Sequence, residues 1–107
     1  MAAKFGEGLW MYRIAVVDDD REFSAKLREY LEQYAKENDE TFEIEVFYDG
    51  AEILKDYTPR YELILLDIEM PAVNGMEAAQ KIREMDESVV LMFITNMAQY
   101  AIHGYSV

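Results

Sequence analysis

Cysteine is absent from the 107-residue chain. No disulfide can staple the fold, so a packed core has to hold it unaided, as is usual in the reducing cytosol. Basic residues are scarce: 10 Lys and Arg stand against 22 Asp and Glu, a formal net charge of -12. Such a surface is repelled by phosphate backbones and anionic lipid, which argues against nucleic acid and membrane as direct partners. The plain meaning of the acidity is a solvated surface; the functional one is attraction for divalent cations and for basic patches on other proteins. Long hydrophobic runs are missing too. The longest, Val89 to Ile94 and Leu63 to Leu66, fall far short of the roughly 18 residues a membrane span requires. The opening MAAKFGEGLW carries one basic residue and no continuous apolar stretch, so it does not read as a secretory signal, and a cytoplasmic location is expected.

What is present suffices for one small domain. Hydrophobic residues make up 51% of the chain, enough for a single packed core. A second methionine, Met11, stands where the patterned sequence begins, so residues 1–10 read as an extension and residues 11–107 as the domain.

From Tyr12 onward, short apolar runs alternate with segments of helical period, the arrangement of βαβ units and a parallel sheet. Ile14 to Val17, Leu63 to Leu66 and Val89 to Ile94 are continuous runs, as in strands covered on both faces, and are expected to be central. Phe42, Ile44 and Val46 alternate with Glu43 and Glu45, which predicts a strand with one wet face near an edge, second in sequence. Phe23, Leu27, Tyr30, Leu31 and Tyr34 recur at helical spacing and predict an inward face on a helix from about Arg21 to Lys36. Asp49-Gly50 opens a shorter helix that ends before Pro59. Asn74-Gly75 opens another carrying Met76, Ala79 and Ile82 inward, and a last helical turn begins near Met97 with His103-Gly104 as its stop.

In an open parallel sheet, ligands bind beyond the carboxyl ends of the strands. The first run ends in Asp18, Asp19 and Asp20, the third in Asp67 and the fourth in Thr95. If strands one and three are neighbours, Asp18, Asp19 and Asp67 converge, and carboxylates at close range raise one another's pKa unless a cation neutralises them. All-oxygen ligation with room for water suits Mg²⁺. A carboxylate beside that ion can attack phosphorus, giving an aspartyl phosphate. Each residue also has a blander role: an Asp between strand and helix is often an N-cap, assigned here to Asp20, and a lone Thr is often just a β-favoured residue. Asp67 is harder to dismiss, since an acid after four apolar residues would be nearly buried without a partner.

At these residues the sequence resembles the receiver domain of two-component response regulators, from Met11 to Val107. The acidic pair closing the first strand, LLDIEMP followed by Asn74-Gly75, and the Thr closing the fourth strand stand in the family's order. The run FITNMAQYAIHGYSV looks most like regulators whose output is a LytTR-type DNA-binding domain. The resemblance implies a flavodoxin-like, doubly wound α/β fold with strand order 2-1-3-4. It also implies Asp67 as the phosphorylated nucleophile. Asp19 and Asp67 would ligate Mg²⁺ directly, Asp18 largely through water, and Glu69 through its backbone carbonyl. Thr95 would hydrogen-bond the phosphoryl group as a switch, with the signal leaving through Asn96 to Tyr105. A sensor histidine kinase is the implied partner, and such a domain assists its own phosphorylation and dephosphorylation without being a turnover enzyme.

The family continues with a fifth strand ending in Lys-Pro and a fifth helix, a β-α unit this sequence lacks; Lys55 and Lys81, on predicted helices, are poor substitutes for that Lys. Strand four then reads as an edge, so self-association is expected, by strand pairing or element exchange, or coverage of open core by Phe5, Leu9 and Trp10. Two further readings compete. A receiver-like fragment could act only as a dimerisation or interaction module. A haloacid-dehalogenase-type phosphatase would need a second Asp two residues after the nucleophile, where Glu69 stands.

Overall fold

The computed structural model describes residues 3–5 and 9–94. The elements are β1 (Ala3–Phe5), β2 (Leu9–Val17), α1 (Arg21–Glu37), β3 (Thr41–Phe47), α2 (Gly50–Leu54), β4 (Leu63–Asp67), α3 (Gly75–Met85) and β5 (Val90–Ile94). Thr95, Asn96, the turn expected near Met97, Tyr100, His103, Tyr105 and most of the run likened to LytTR-type regulators lie outside the described residues.

β2, β3, β4 and β5 pair in parallel in the order β3-β2-β4-β5, the expected 2-1-3-4. One apolar cluster joins Ile14, Val16 and Leu65 to Leu27 and Leu31 of α1. The other joins Ala15, Val17, Ile64 and Leu66 to Ile53 of α2 and to Ala78, Ala79 and Ile82 of α3. Alternate residues of each strand serve opposite faces because the strand period is two. The chain therefore moves outward from β2 to β3 along one face, then crosses to build the rest along the other. Between the carboxyl ends of β2 and β4 lies the reversal point that creates a crevice. Ile53, Ile64, Leu66, Ile82, Val16 and Val17 are fully buried, each contributing about 1.5–3 kcal/mol of apolar transfer energy.

The structure corrects several expectations. Strand one starts at Leu9, two residues before Met11, and β1 pairs antiparallel with Leu9–Met11. Met11 pairs with both Ala3 and Thr41, so β1 lies on the side of β2 opposite β3. Trp10 is 55% exposed. Tyr30 points outward from α1, Tyr34 is half exposed with its ring stacked on Phe42, and the small residues Ser24 and Ala35 are the buried ones of the helix. Met76 is likewise exposed, while Gly75, Ala78, Ala79 and Ile82 face inward. The continuous run Val89 to Ile94 suggested a central strand, but β5 is the last strand of the sheet among the described residues, as the order 2-1-3-4 implies, with Val90 and Met92 more than half exposed. No helix among the described residues is long and apolar enough to cross a membrane.

Candidate phosphoacceptor and metal site

Parallel pairing aligns Val17 with Leu66, which sets Asp18 and Asp67 side by side at the carboxyl ends of β2 and β4. Carboxylate oxygens of Asp18, Asp19 and Asp67 lie within 4.8 Å of one another. Asp18 is the buried member, at 2% exposure, Asp67 is partly buried and Asp19 is exposed. The sequence pointed to Asp67 as the buried acid; the ladder instead sinks Asp18, whose main-chain N–H donates to the Phe47 carbonyl at 3.0 Å. Its carboxylate accepts the Asp20 N–H at 2.9 Å, and the Ser24 hydroxyl donates to its main-chain oxygen at 3.3 Å. Asp20 caps α1 as expected, accepting the Phe23 N–H at 3.0 Å.

Burial, followed by the charges of Asp18 and, more weakly, Asp19, pushes the Asp67 carboxyl up from 3.8 to about 6, against the pull of hydrogen bonds from the Glu69 and Ile68 main-chain N–H groups. Burial also raises Asp18, with Asp19 and Asp20 adding to the rise, while hydrogen bonds to Asp20 and Asp67 oppose it. The site is short of positive charge. Three oxygen donors at this separation fit the coordination sphere of a hard divalent cation, leaving its remaining positions to water and phosphate oxygens.

The loop after Asp67 is held from two sides. The Gly75 N–H donates to the Ile68 carbonyl at 2.9 Å, and Asn74 caps α3 by accepting the Glu77 N–H at 2.9 Å. From the neighbouring helix, Gly50 approaches so closely that a Cβ there would lie 2.7 Å from the Val73 carbonyl oxygen. Between these anchors Ala72 adopts a left-handed backbone, φ 64. On the β3 side of β2, the Arg21 guanidinium lies 3.9 Å above the centre of the Tyr48 ring. Sequence reasoning missed this pair: Arg21 and Tyr48 sit far apart along the chain, and only the β2–β3 pairing brings their loops together. It read Gly50 and Gly75 as helix openers; their role as points of closest approach depends on how the helices pack. Lys55 ends α2, and Lys81 is engaged with Glu77 on α3. Neither belongs to the site.

Residues 14–107 match the family described as response regulator receiver domain. The chain belongs to that family. Escherichia coli K12 CpxR, a transcriptional regulatory protein, is 35% identical over 82 residues, which is 77% of this chain and 33% of CpxR. This receiver thus spans about a third of the length of that relative. The chemotaxis protein CheY of Halobacterium salinarum is 32% identical over 87 residues, covering 81% of this receiver and 68% of CheY. Among solved structures, the response regulator TrrA of Thermotoga maritima, in complex with Mg(2+)-BeF, superposes with TM-score 0.71 at 34% identity, over 84% of this receiver and 74% of TrrA. The α/β order found here is therefore the flavodoxin-like receiver fold. Of the residues singled out in the sequence, the receiver brings Asp18, Asp19 and Asp67 together with Glu69 beside them.

Proposed function

We propose that this receiver accepts a phosphoryl group on Asp67 in a Mg²⁺-dependent reaction, from a phosphohistidine of a partner sensor histidine kinase in the cytoplasm. The convergence of Asp18, Asp19 and Asp67 oxygens within 4.8 Å carries the reading. Asp18, Asp19, Asp67 and the Glu69 carbonyl would hold the ion, which supplies charge screening between the carboxylate and the incoming phosphoryl oxygens. One Asp67 oxygen forms the new bond to phosphorus as the phosphorus–nitrogen bond breaks, and the departing imidazole keeps that bond's electron pair. Hydrogen bonds from Ile68 and Glu69 hold the nucleophile's orientation. Thr95, assisted by Asn96, would then bond a phosphoryl oxygen and draw its loop inward as the switch. The domain assists its own phosphorylation and dephosphorylation and is not a turnover enzyme.

Intact-mass spectrometry after incubation with acetyl phosphate, with and without Mg²⁺, tests this reading. One Mg²⁺-dependent phosphoryl adduct, absent from Asp67→Asn, is expected; a folded protein that takes no adduct overturns it.

A second reading, self-association through β5, rests on the exposure of Val90, Met92 and Phe93 along that strand. Sedimentation velocity over a range of concentrations decides it: a single monomeric species throughout excludes a β5-mediated dimer.

A further inference from the structure

Of the three asparagines in the chain, only Asn74 is followed by glycine. Both residues are dictated by the fold. Asn74 is the N-cap of α3, its side-chain oxygen accepting the Glu77 N–H at 2.9 Å. Gly75 stands where a Cβ would collide with the main-chain oxygen of Asp67, so no larger residue fits behind the cap. The same pair is chemically labile. Asparagine is among the thermally unstable residues, and its side-chain carbon lies open to the next main-chain nitrogen when that residue has no side chain to shield it. In the folded chain this attack is blocked twice. Asn74 has ψ 170 with its side chain turned onto the Glu77 N–H, and the Gly75 N–H is engaged with the Ile68 carbonyl at 2.9 Å. That carbonyl belongs to the same peptide unit as the Glu69 N–H, which donates to the Asp67 carboxylate. One peptide plane thus links the Asp67 side chain to the Gly75 nitrogen, and hydrogen bonds in series polarise one another.

We propose that Asn74 is a site of spontaneous covalent modification, locked in the folded chain by the series of hydrogen bonds that starts at the Asp67 side chain. When the first turn of α3 opens, the Gly75 nitrogen bonds to the Asn74 side-chain carbon and closes a cyclic imide. The side-chain nitrogen leaves as ammonia, taking the Gly75 amide proton with it. Water then adds its hydroxyl to either imide carbonyl and returns a proton to the nitrogen as that bond opens, which leaves aspartate or isoaspartate at position 74. Aspartate keeps the cap. Isoaspartate puts an extra carbon into the main chain between the cap and Gly75, so the Gly75–Ile68 bond and the packing of Gly75 on Asp67 cannot both survive. The modification therefore disturbs the main chain of the acid cluster itself. Neither a metal ion nor a phosphoryl group is needed for the lock or for the reaction.

The test is peptide mapping by mass spectrometry of the full chain aged at mildly alkaline pH, folded and in guanidinium chloride. Asn74 is expected to convert in the denatured chain and about a hundredfold more slowly in the folded one, the ratio reporting how rarely the first turn of α3 opens. Asp67→Ala removes the acceptor of the Glu69 N–H and should speed conversion in the folded chain about three- to tenfold. Asp67→Asn keeps an accepting oxygen and should hold the parent rate. Hydrogen exchange of the Gly75 amide, read beside that of the buried strands, separates local opening from lost global stability. In Asp67→Ala it should rise in step with conversion while exchange in the strands stays at the parent level. Equal rates in the folded and denatured chains, or no conversion of Asn74 in either, overturn the site. Parent-like conversion in Asp67→Ala, or a rise matched by equal loss of protection across the strands, overturns the lock.

Discussion

Gly75, the first residue of α3, is packed directly against the main-chain carbonyl of Asp67: a Cβ added at Gly75 would fall far inside van der Waals contact distance of that oxygen. Neither partner can yield cheaply, since one opens a helix and the other ends a buried strand. Gly75→Ala is therefore expected to cost more than about 2 kcal/mol of stability, read as a lowered urea midpoint. Gly50→Ala meets the Val73 carbonyl less severely and should cost less. Equal midpoints for Gly75→Ala and the parent would show that the helix can retreat freely from the nucleophile.

The raised Asp67 carboxyl makes cation-free stability depend on pH in a definite direction. Its folded value, about 6, exceeds the ordinary 3.8, so the folded state holds the proton more tightly. Stability from this group is thus full at low pH and is lost as pH rises between the two values. Asp67→Asn removes the ionisation. It should be more stable than the parent by about 1–2 kcal/mol at about pH 7.5, after allowing for solvent screening at a partly open site, and no more stable at about pH 3.5. Urea denaturation in chelator at both pH values checks the difference and its sign.

Much of this architecture is legible in the sequence, and the failures have physical causes. The runs Leu63–Leu66 and Val89–Ile94 mark strands because so many apolar residues in a row need burial or a neighbour, and Asp20 marks a helix start because its side chain suits the free N–H groups there. Periodicity could not show that Tyr30 and Met76 point outward. A spacing of three or four defines a face without saying whether large or small side chains occupy its closest line, and here Ser24, Ala35 and Ala78 do. The convergence of Asp18, Asp19 and Asp67 followed once strands one and three were made neighbours. The Arg21–Tyr48 stack did not, because the loops that carry its two residues meet only through the β2–β3 pairing.

Mg²⁺ should compete with protons for the same carboxylates. At about pH 7.5, Mg²⁺ at about a hundred times its Kd is expected to raise the unfolding free energy by about 2.7 kcal/mol, shrinking greatly at about pH 4.5. Asp19→Asn, which alters the exposed member, should retain the fold and lose most of this effect. Thermal unfolding at matched ionic strength distinguishes specific binding from general screening, which Na⁺ would reproduce.

Tyr57 and Asp86 form a buried pair remote from this chemistry. The Tyr57 hydroxyl donates to an Asp86 carboxylate oxygen at 2.8 Å, and burial, reinforced by that carboxylate, pushes the phenol well above its usual range. Tyr57→Phe keeps the ring and removes the donor, so it should cost about 1–3 kcal/mol with phosphorylation of Asp67 unchanged. A loss below about 0.5 kcal/mol would mean that the Ser88 and Val89 N–H groups, which donate to the other Asp86 oxygen, already satisfy the carboxylate.

The hydrogen bond from the Asp18 N–H to the Phe47 carbonyl ties the buried acid of the cluster to β3, the outer strand on that side of the sheet. Outer strands are where a sheet frays first, having a ladder on one side alone. The geometry of the cluster therefore leans on a strand that, among the described residues, has a ladder on one side alone. Whatever stiffens or loosens β3 changes how steadily Asp18 faces Asp67.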